Sequence, residues 1–286
     1  KKKNKIKNKF FIDNFINFIM LFIDKKNNQS ESLTKYLLVG SNMNIFNRIM
    51  SAKYLLNNKK VYSFNHANYS SSIYEDPTNE MGEFAMCNKY IDLGKFKFKK
   101  KFLKTDFFKP KIKLEKNSIF YKNSSVKSDK NIHKYLYVPN SYNFFRRYGF
   151  HRDVDDKDYI KFQKKILNAN KLIFFKVHPK QRYNHNIFKS NKYIYGDLKC
   201  HLNKFGLFII DMISQPFFSI AKTDSKILYL NFDQRKIRPD VLKLLKKRAH
   251  VVNVNLSSLN DTKIKKAIVD AINFKIISKD ILKLCC

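Results

Sequence analysis

The sequence predicts an α/β protein of two domains, each built on a parallel sheet. Three observations predict it. Short apolar runs of strand length alternate with stretches of helical spacing, the pattern of successive βαβ units. The alternation occurs twice, on either side of a Lys-rich, Pro-containing stretch over residues 95–133. Two of the runs, Leu172 to Val177 and Leu207 to Ile210, are short and apolar, as central strands of a parallel sheet are. A chain of 286 residues has room for two such cores.

The first domain is expected over residues 1–94. Tyr36-Leu37-Leu38-Val39 reads as a strand, ended by Gly40. Residues 44–56 have helical spacing, with Ile45, Ile49, Ala52 and Leu56 on one face. Val61 to Phe64 is the next strand and runs into Asn65-His66. A loop with Ser70-Ser71-Ser72 follows, then a short helix over Glu80 to Cys87 and a strand from Lys89 to Leu93, stopped by Gly94. The chain opens with Lys1, and this domain reads as incomplete at its N-terminal side. Phe10 to Ile23 is a run of 14 very apolar residues that carries Asp13, Asn14 and Asn17. It falls short of the roughly 20 residues of a membrane span, and no small-residue cleavage site follows it, so a buried or interfacial helix is expected.

The connecting segment, residues 95–133, is dense in Lys and contains Pro110 and Asn123-Ser124-Ser125. Ile112, Leu114, Ile119 and Phe120 within it can still make one or two strands. The second domain is expected over residues 134–286. Its strands are Tyr135–Val138, Leu172–Val177, Leu207–Ile210, Lys226–Leu230 and His250–Val254. Its helices run from a cap at Asp155 or Asp156 to Leu167, then over Pro216–Ala221, Val241–Lys247 and Thr262–Phe274.

Charge narrows the function classes. Lys+Arg is 58 and Asp+Glu 23, a net charge of +35. A balance this basic suits nucleic acid or an anionic membrane surface. The excess is almost all Lys. The arginines are Arg48, Arg146, Arg147, Arg152, Arg182, Arg235, Arg238 and Arg248, and Asn and Ile are abundant, the composition of an AT-rich genome. Lys is spread along the chain, not gathered in one stripe, and no nucleic-acid motif is present. A basic nucleic-acid-binding module is therefore the alternative reading, not the first. Cys87, Cys200, Cys285 and Cys286 have no zinc-type spacing and fit a reduced, cytosolic compartment.

Two strand ends carry the best chemistry. The run Leu172 to Val177 ends in His178-Pro179, where the proline holds the histidine extended at the sheet edge. The run Leu207 to Ile210 ends in Asp211, and Ser214 precedes a helix with Pro216 in its first turn, an N-cap arrangement that offers free N–H groups to an anion. Read as adjacent βα units, the two favour a phosphate-bearing ligand. Arg146-Arg147 follow the first strand of this domain and can clamp a diphosphate. In the first domain His66 ends a strand, and Glu80 and Glu83 share a helical face; each can serve as the base that deprotonates an acceptor hydroxyl. Asp153-Val154-Asp155 spells D-x-D but sits where a helix cap is expected. There is no Walker loop, no G-x-G-x-x-G and no G-x-S-x-G.

A strand ending in His-Pro, then a strand ending in Asp with Ser before the next helix, then an apolar strand after Lys, resembles the C-terminal half of bacterial surface-polysaccharide glycosyltransferases. These are the capsule and lipopolysaccharide enzymes, including sialyltransferase-like and glycerophosphotransferase-like members. The resemblance reaches His66, Glu80, Glu83 and Tyr90-Ile91-Asp92-Leu93-Gly94 in the first half, about two thirds of the chain. It implies two Rossmann-like domains of the GT-B kind. It also implies a nucleotide-sugar, or a polyol-phosphate donor, held by His178, Pro179, Ser214 and Ser219, beside which the position of Arg146 and Arg147 adds two more donor-binding candidates. The acceptor would be a cell-surface glycan or lipid-linked molecule approached from the cytoplasmic face of the membrane. No metal or other cofactor is expected. The chain departs from the sialyltransferases at Glu75-Asp76, where their paired acids precede Gly and here precede Pro77.

Overall fold

The structure is a computed structural model and describes residues 34–40, 45–64, 73–74, 86–92, 111–114, 133–139, 156–178, 192–232, 236–255 and 260–284. The chain divides into two compact units.

The first unit carries a four-stranded sheet of order β1-β2-β3-β4: β1 Tyr36–Val39, β2 Lys60–Phe64, β3 Lys89–Asp92 and β4 Lys111–Leu114. β1 and β3 each pair with β2 in parallel. β4, inside the stretch read as the interdomain connection, is thus an edge strand of this sheet. Helix α1, Ile45–Leu56, links β1 to β2. It ends at Asn57-Asn58, where Asn58 takes a left-handed backbone (φ 54°), a conformation Asn tolerates better than most residues. Val39, Tyr54 and Val61 form a small core, with Leu37, Met50 and Leu55 packed around it.

The second unit carries six strands: β5 Tyr135–Val138, β6 Ile173–Lys176, β7 Tyr193–Ile194, β8 Leu207–Ile210, β9 Lys226–Phe232 and β10 His250–Val254. All pairings are parallel, in the order β10-β9-β8-β5-β6-β7. Numbered within the unit this is 6-5-4-1-2-3, the doubly wound dinucleotide-fold order, whose direction reverses between β5 and β8. The sequence reading foresaw every strand but β7, whose two residues are too short to leave a pattern.

Among the described residues four α-helices cover the sheet: α2 Asp156–Ala169, α3 Gln215–Ala221, α4 Pro239–Arg248 and α5 Asp261–Asn273. Tyr159, Phe162 and Ile166 of α2 and Ile264, Ala267, Ile268 and Ala271 of α5 bury one face together with Tyr137, Phe175, Ile209 and Leu228. Phe217, Phe218, Ile220 and Ala221 of α3 and Val241 and Leu245 of α4 bury the other with Leu136, Phe208, Ile210 and Tyr229. Successive residues of a strand point to opposite faces, so Leu207-Phe208-Ile209-Ile210 serves both cores in turn. α5 starts at Asn260, whose side chain accepts the Lys263 N–H at 2.9 Å. α4 starts at Pro239 with Asp240 in its first turn and ends in Lys246-Lys247-Arg248, charges that match the helix dipole.

Two residues from the first half of the sequence, Ile73 and Tyr74, belong to this second unit and are buried in its core. Tyr74 bridges Ile237 in antiparallel fashion, and the Arg238 N–H donates to the Ile73 carbonyl at 2.9 Å.

Candidate donor site at the edge of the second sheet

In a doubly wound sheet the crevice opens at the C-terminal edge, where strand order reverses. Here that is the edge of β5 and β8. Their register pairs Val138 with Ile210, which brings Pro139 level with Asp211. β6 lies on the far side of β5 and pairs Phe175 with Tyr137. His178 and the loop before Ser214 therefore emerge at about the same height. They flank β5 and do not lie on neighbouring strands: the adjacent-unit reading is corrected by the crossover order. At about 4.8 Å per strand the two ends are on the order of 10 Å apart, a span one phosphate cannot bridge but a diphosphate or nucleotide can.

His178 is half-buried, two residues beyond β6. Just before it the Val177 N–H donates to the Ile194 carbonyl at 3.0 Å, fixing the strand end against β7. Ser214 is the N-cap of α3, with an extended backbone, and its side chain makes no capping bond. Its carbonyl accepts the first bond of the helix, from the Phe218 N–H at 3.2 Å. Ser219 sits one turn into the helix and donates its hydroxyl to the Gln215 carbonyl at 3.1 Å. In this state it cannot also donate to a phosphate oxygen, so Ser214 is the better placed of the two. His66, Glu80, Glu83, Arg146, Arg147 and Pro179 lie outside the described residues, as do Asp153 and Asp155.

The sequence reading missed what supports the edge from below. Asp211, the first residue after β8, is buried and accepts hydrogen bonds from the Tyr137 and Tyr159 hydroxyls through one oxygen, the first at 2.9 Å. Burial, then the Asp211 charge, holds both phenols well above the usual tyrosine range, so they remain neutral donors. The trio ties β5, α2 and the start of the β8–α3 loop together. A tyrosine inside an apolar strand and another on the apolar face of α2 were the signals; only the fold shows that they meet. Lys176 is a second buried group. Its ammonium donates to the Val177 carbonyl at 3.0 Å, and burial lowers its pKa, partly offset by Asp197.

Further out, Arg248 is fully buried and donates to the carbonyls of Ala221 (3.0 Å), Thr223 (2.8 Å) and Ser225 (3.0 Å). It closes the C-terminal end of α3 and the turn into β9. Burial lowers its pKa to about 10. Arg238, also buried, pairs with Asp240 at 2.8 Å. Among the described residues no group of three His, Cys, Asp or Glu is placed to hold a metal, and no helix is long and apolar enough to cross a membrane.

No family model matches this sequence, and no curated protein matches it. Solved structures do. The Arabidopsis thaliana protein UGT89C1, crystallised with quercetin, is 12% identical over 94% of this chain and 70% of its own, with a TM-score of 0.50. A Listeria monocytogenes protein described as a UDP-N-acetylglucosamine 2-epimerase is 11% identical over 95% of this chain and 73% of its own, at TM-score 0.46. Staphylococcus aureus TarM, solved with fondaparinux, α-GlcNAc-glycerol and UDP, is 13% identical over 82% of this chain and 48% of its own, at 0.43. The fold class is thus the one expected, α/β with Rossmann-like parallel sheets of the GT-B kind.

Proposed function

We propose that this chain is a nucleotide-sugar-dependent glycosyltransferase whose donor binds at the C-terminal edge of the second sheet, between the ends of β6 and β8. The single observation that carries the reading is the coincidence of two independent features. The strand order reverses between β5 and β8, and the two sequence-predicted donor residues, His178 and Ser214, flank that reversal. His178 brings an imidazole to one strand end, and Ser214 a hydroxyl with no capping duty to the other loop. Both suit a diphosphate spread over several ångströms better than a single anion. Arg146, Arg147 and Pro179 would complete the donor side. Ser219 would contribute through its place on α3, since its hydroxyl proton is engaged.

The GT-B likeness of the fold supports two-substrate transfer, and the sequence supplies His66, Glu80 and Glu83 as the groups for the acceptor side. One of them would take the proton from the acceptor hydroxyl as it attacks the anomeric carbon, while the nucleoside diphosphate leaves with the electrons of the broken glycosidic bond. The acceptor would be a cell-surface polysaccharide or a lipid-linked precursor, as in capsule or lipopolysaccharide assembly. The net charge of +35 would let the protein rest on the anionic cytoplasmic face of a membrane. No cofactor beyond the donor is part of this proposal.

The test is a paired salt titration on one preparation, with UDP, CDP and CMP on one side and a DNA duplex on the other. Polyanion binding by scattered lysines releases counterions and should be mostly gone by about 200 mM salt. Nucleotide binding through a few directed hydrogen bonds should persist. Salt-resistant binding of one nucleic-acid sequence, with no nucleotide binding, would replace this reading with the nucleic-acid one.

A further inference from the structure

Ile213 is the residue immediately before Ser214. It lies between the end of β8 and the start of α3, so its backbone joins neither the sheet ladder nor the helix, and it is fully buried. Its N–H and C=O need partners from elsewhere, because buried backbone groups left unpaired are costly. Both find the same one. The Ile213 N–H donates to the Tyr74 hydroxyl oxygen at 2.9 Å, and that hydroxyl donates to the Ile213 carbonyl at 3.4 Å. The Tyr74 side chain is 4% exposed, and Ile73 beside it is fully buried. The same pair holds a second loop, since Tyr74 bridges Ile237 and the Ile73 carbonyl accepts the Arg238 N–H. Ile237 and Arg238 lead into α4, just beyond β9, the strand next to β8. Two residues from the sequence between β2 and β3 thereby hold two neighbouring loops at one sheet edge.

We propose that Tyr74 is a positioning residue of the donor site: its hydroxyl sets the backbone of Ile213 and so aims Ser214 at the donor phosphates. This rests on the donor-site reading above. It adds that the donor loop is held by a segment distant in sequence, one that lies between His66 and Glu80 along the chain. Tyr74 does not touch the ligand. Its effect runs through Ser214, and a residue that only contributes core packing would behave differently.

Tyr74→Phe separates the two, because it keeps the ring in the core and removes only the hydroxyl. UDP is titrated calorimetrically against the full chain as wild type, Tyr74→Phe, Ser214→Ala and the double variant. Amide hydrogen exchange over residues 211–216 is followed in the wild type and Tyr74→Phe. The expected result is a loss of about tenfold or more in UDP affinity for Tyr74→Phe, with faster exchange at 211–216. The double variant should be no weaker than Ser214→Ala by more than about twofold, since residues acting through one contact do not add. Should Tyr74→Phe itself fail to fold, Tyr74→Leu, which also removes the hydroxyl and stays apolar, takes its place with the same expectations for the cycle. Wild-type UDP affinity in the folded variant, or strictly additive losses, overturns the inference and leaves the donor site standing. A wild type that binds CDP or CMP and not UDP moves the same cycle to that nucleotide, and one that binds none of the three removes both.

Discussion

Strands β1 and β8 are alike in sequence, yet the fold treats them differently. β1, in the first sheet, is Tyr-Leu-Leu-Val and β8, in the six-stranded sheet, is Leu-Phe-Ile-Ile, both uninterrupted apolar runs. All four residues of β8 are buried. In β1 only Val39 is, while Tyr36 is 43% and Leu38 64% exposed. The difference is position. β8 is central, paired on both sides and covered by helices on both faces, whereas among the described residues β1 is an edge strand whose alternate residues, Leu37 and Val39, meet α1 and β2. An apolar run announces a strand but not how much of it will be buried. Among the described residues, the candidate donor site stands on the sheet whose strand ends are held from both faces.

That contrast can be broken by mutation. Phe208→Ala empties a fully enclosed site in the second core and should cost about 3–5 kcal/mol. Val61→Ala in the small first core removes two methyl groups at about 0.8 kcal/mol each, plus a modest cavity, and should cost about 2 kcal/mol. Chemical denaturation read by fluorescence and by hydrogen exchange in each unit checks both. Equal losses would show the two cores to be equivalent. Arg248→Met lies between them. It leaves the carbonyls of Ala221, Thr223 and Ser225 without their donor and should cost about 3 kcal/mol, the range for stranding several buried acceptors at once. A Met variant as stable as the wild type would mean that those carbonyls find water.

The pH dependence sharpens the comparison further. Tyr137 and Tyr159 have raised pKa values in the folded state, so above about pH 10 the unfolded chain releases protons that the folded one keeps. Their contribution is complete below that pH and falls by up to about 1.4 kcal/mol per pH unit per phenol above it. Tyr137→Phe and Tyr159→Phe should therefore lower stability at pH 7 but flatten its decline between about pH 10 and 11, measured by urea midpoints across that window. An unchanged slope would remove the Asp211 trio as the cause.

The secondary structure was largely legible because each element carries its own local signal: β5, β8 and β10 have the expected bounds, and α2 to α5 differ by a residue or two at their ends. The candidate site was legible only as parts. His178 and Ser214 declare themselves at strand ends, but that β5 lies between them follows from the crossover order, which no local pattern encodes. Asp211 meets Tyr137 and Tyr159 across 74 and 52 residues, and Tyr74 meets Ile213 across 139. Contacts of that range depend on the assembled fold, so the residues that brace this sheet edge were invisible, while His178 and Ser214, the residues proposed to face a donor, carry local signals.

The measurement that bears most directly on the donor site is calorimetric titration of UDP, CDP and CMP into the wild type, His178→Ala and Ser214→Ala, with the exposed-surface variant Lys161→Ala as control. At least one nucleotide should bind the wild type. Each site variant should lose about 1.5–3 kcal/mol, the worth of a hydrogen bond to a charged phosphate, or about 10- to 150-fold in affinity, with the fold intact by circular dichroism. Lys161→Ala should match the wild type. A wild type that binds no nucleotide, or His178→Ala and Ser214→Ala that bind as tightly as it does, would contradict the placement of the donor at the reversal between β5 and β8.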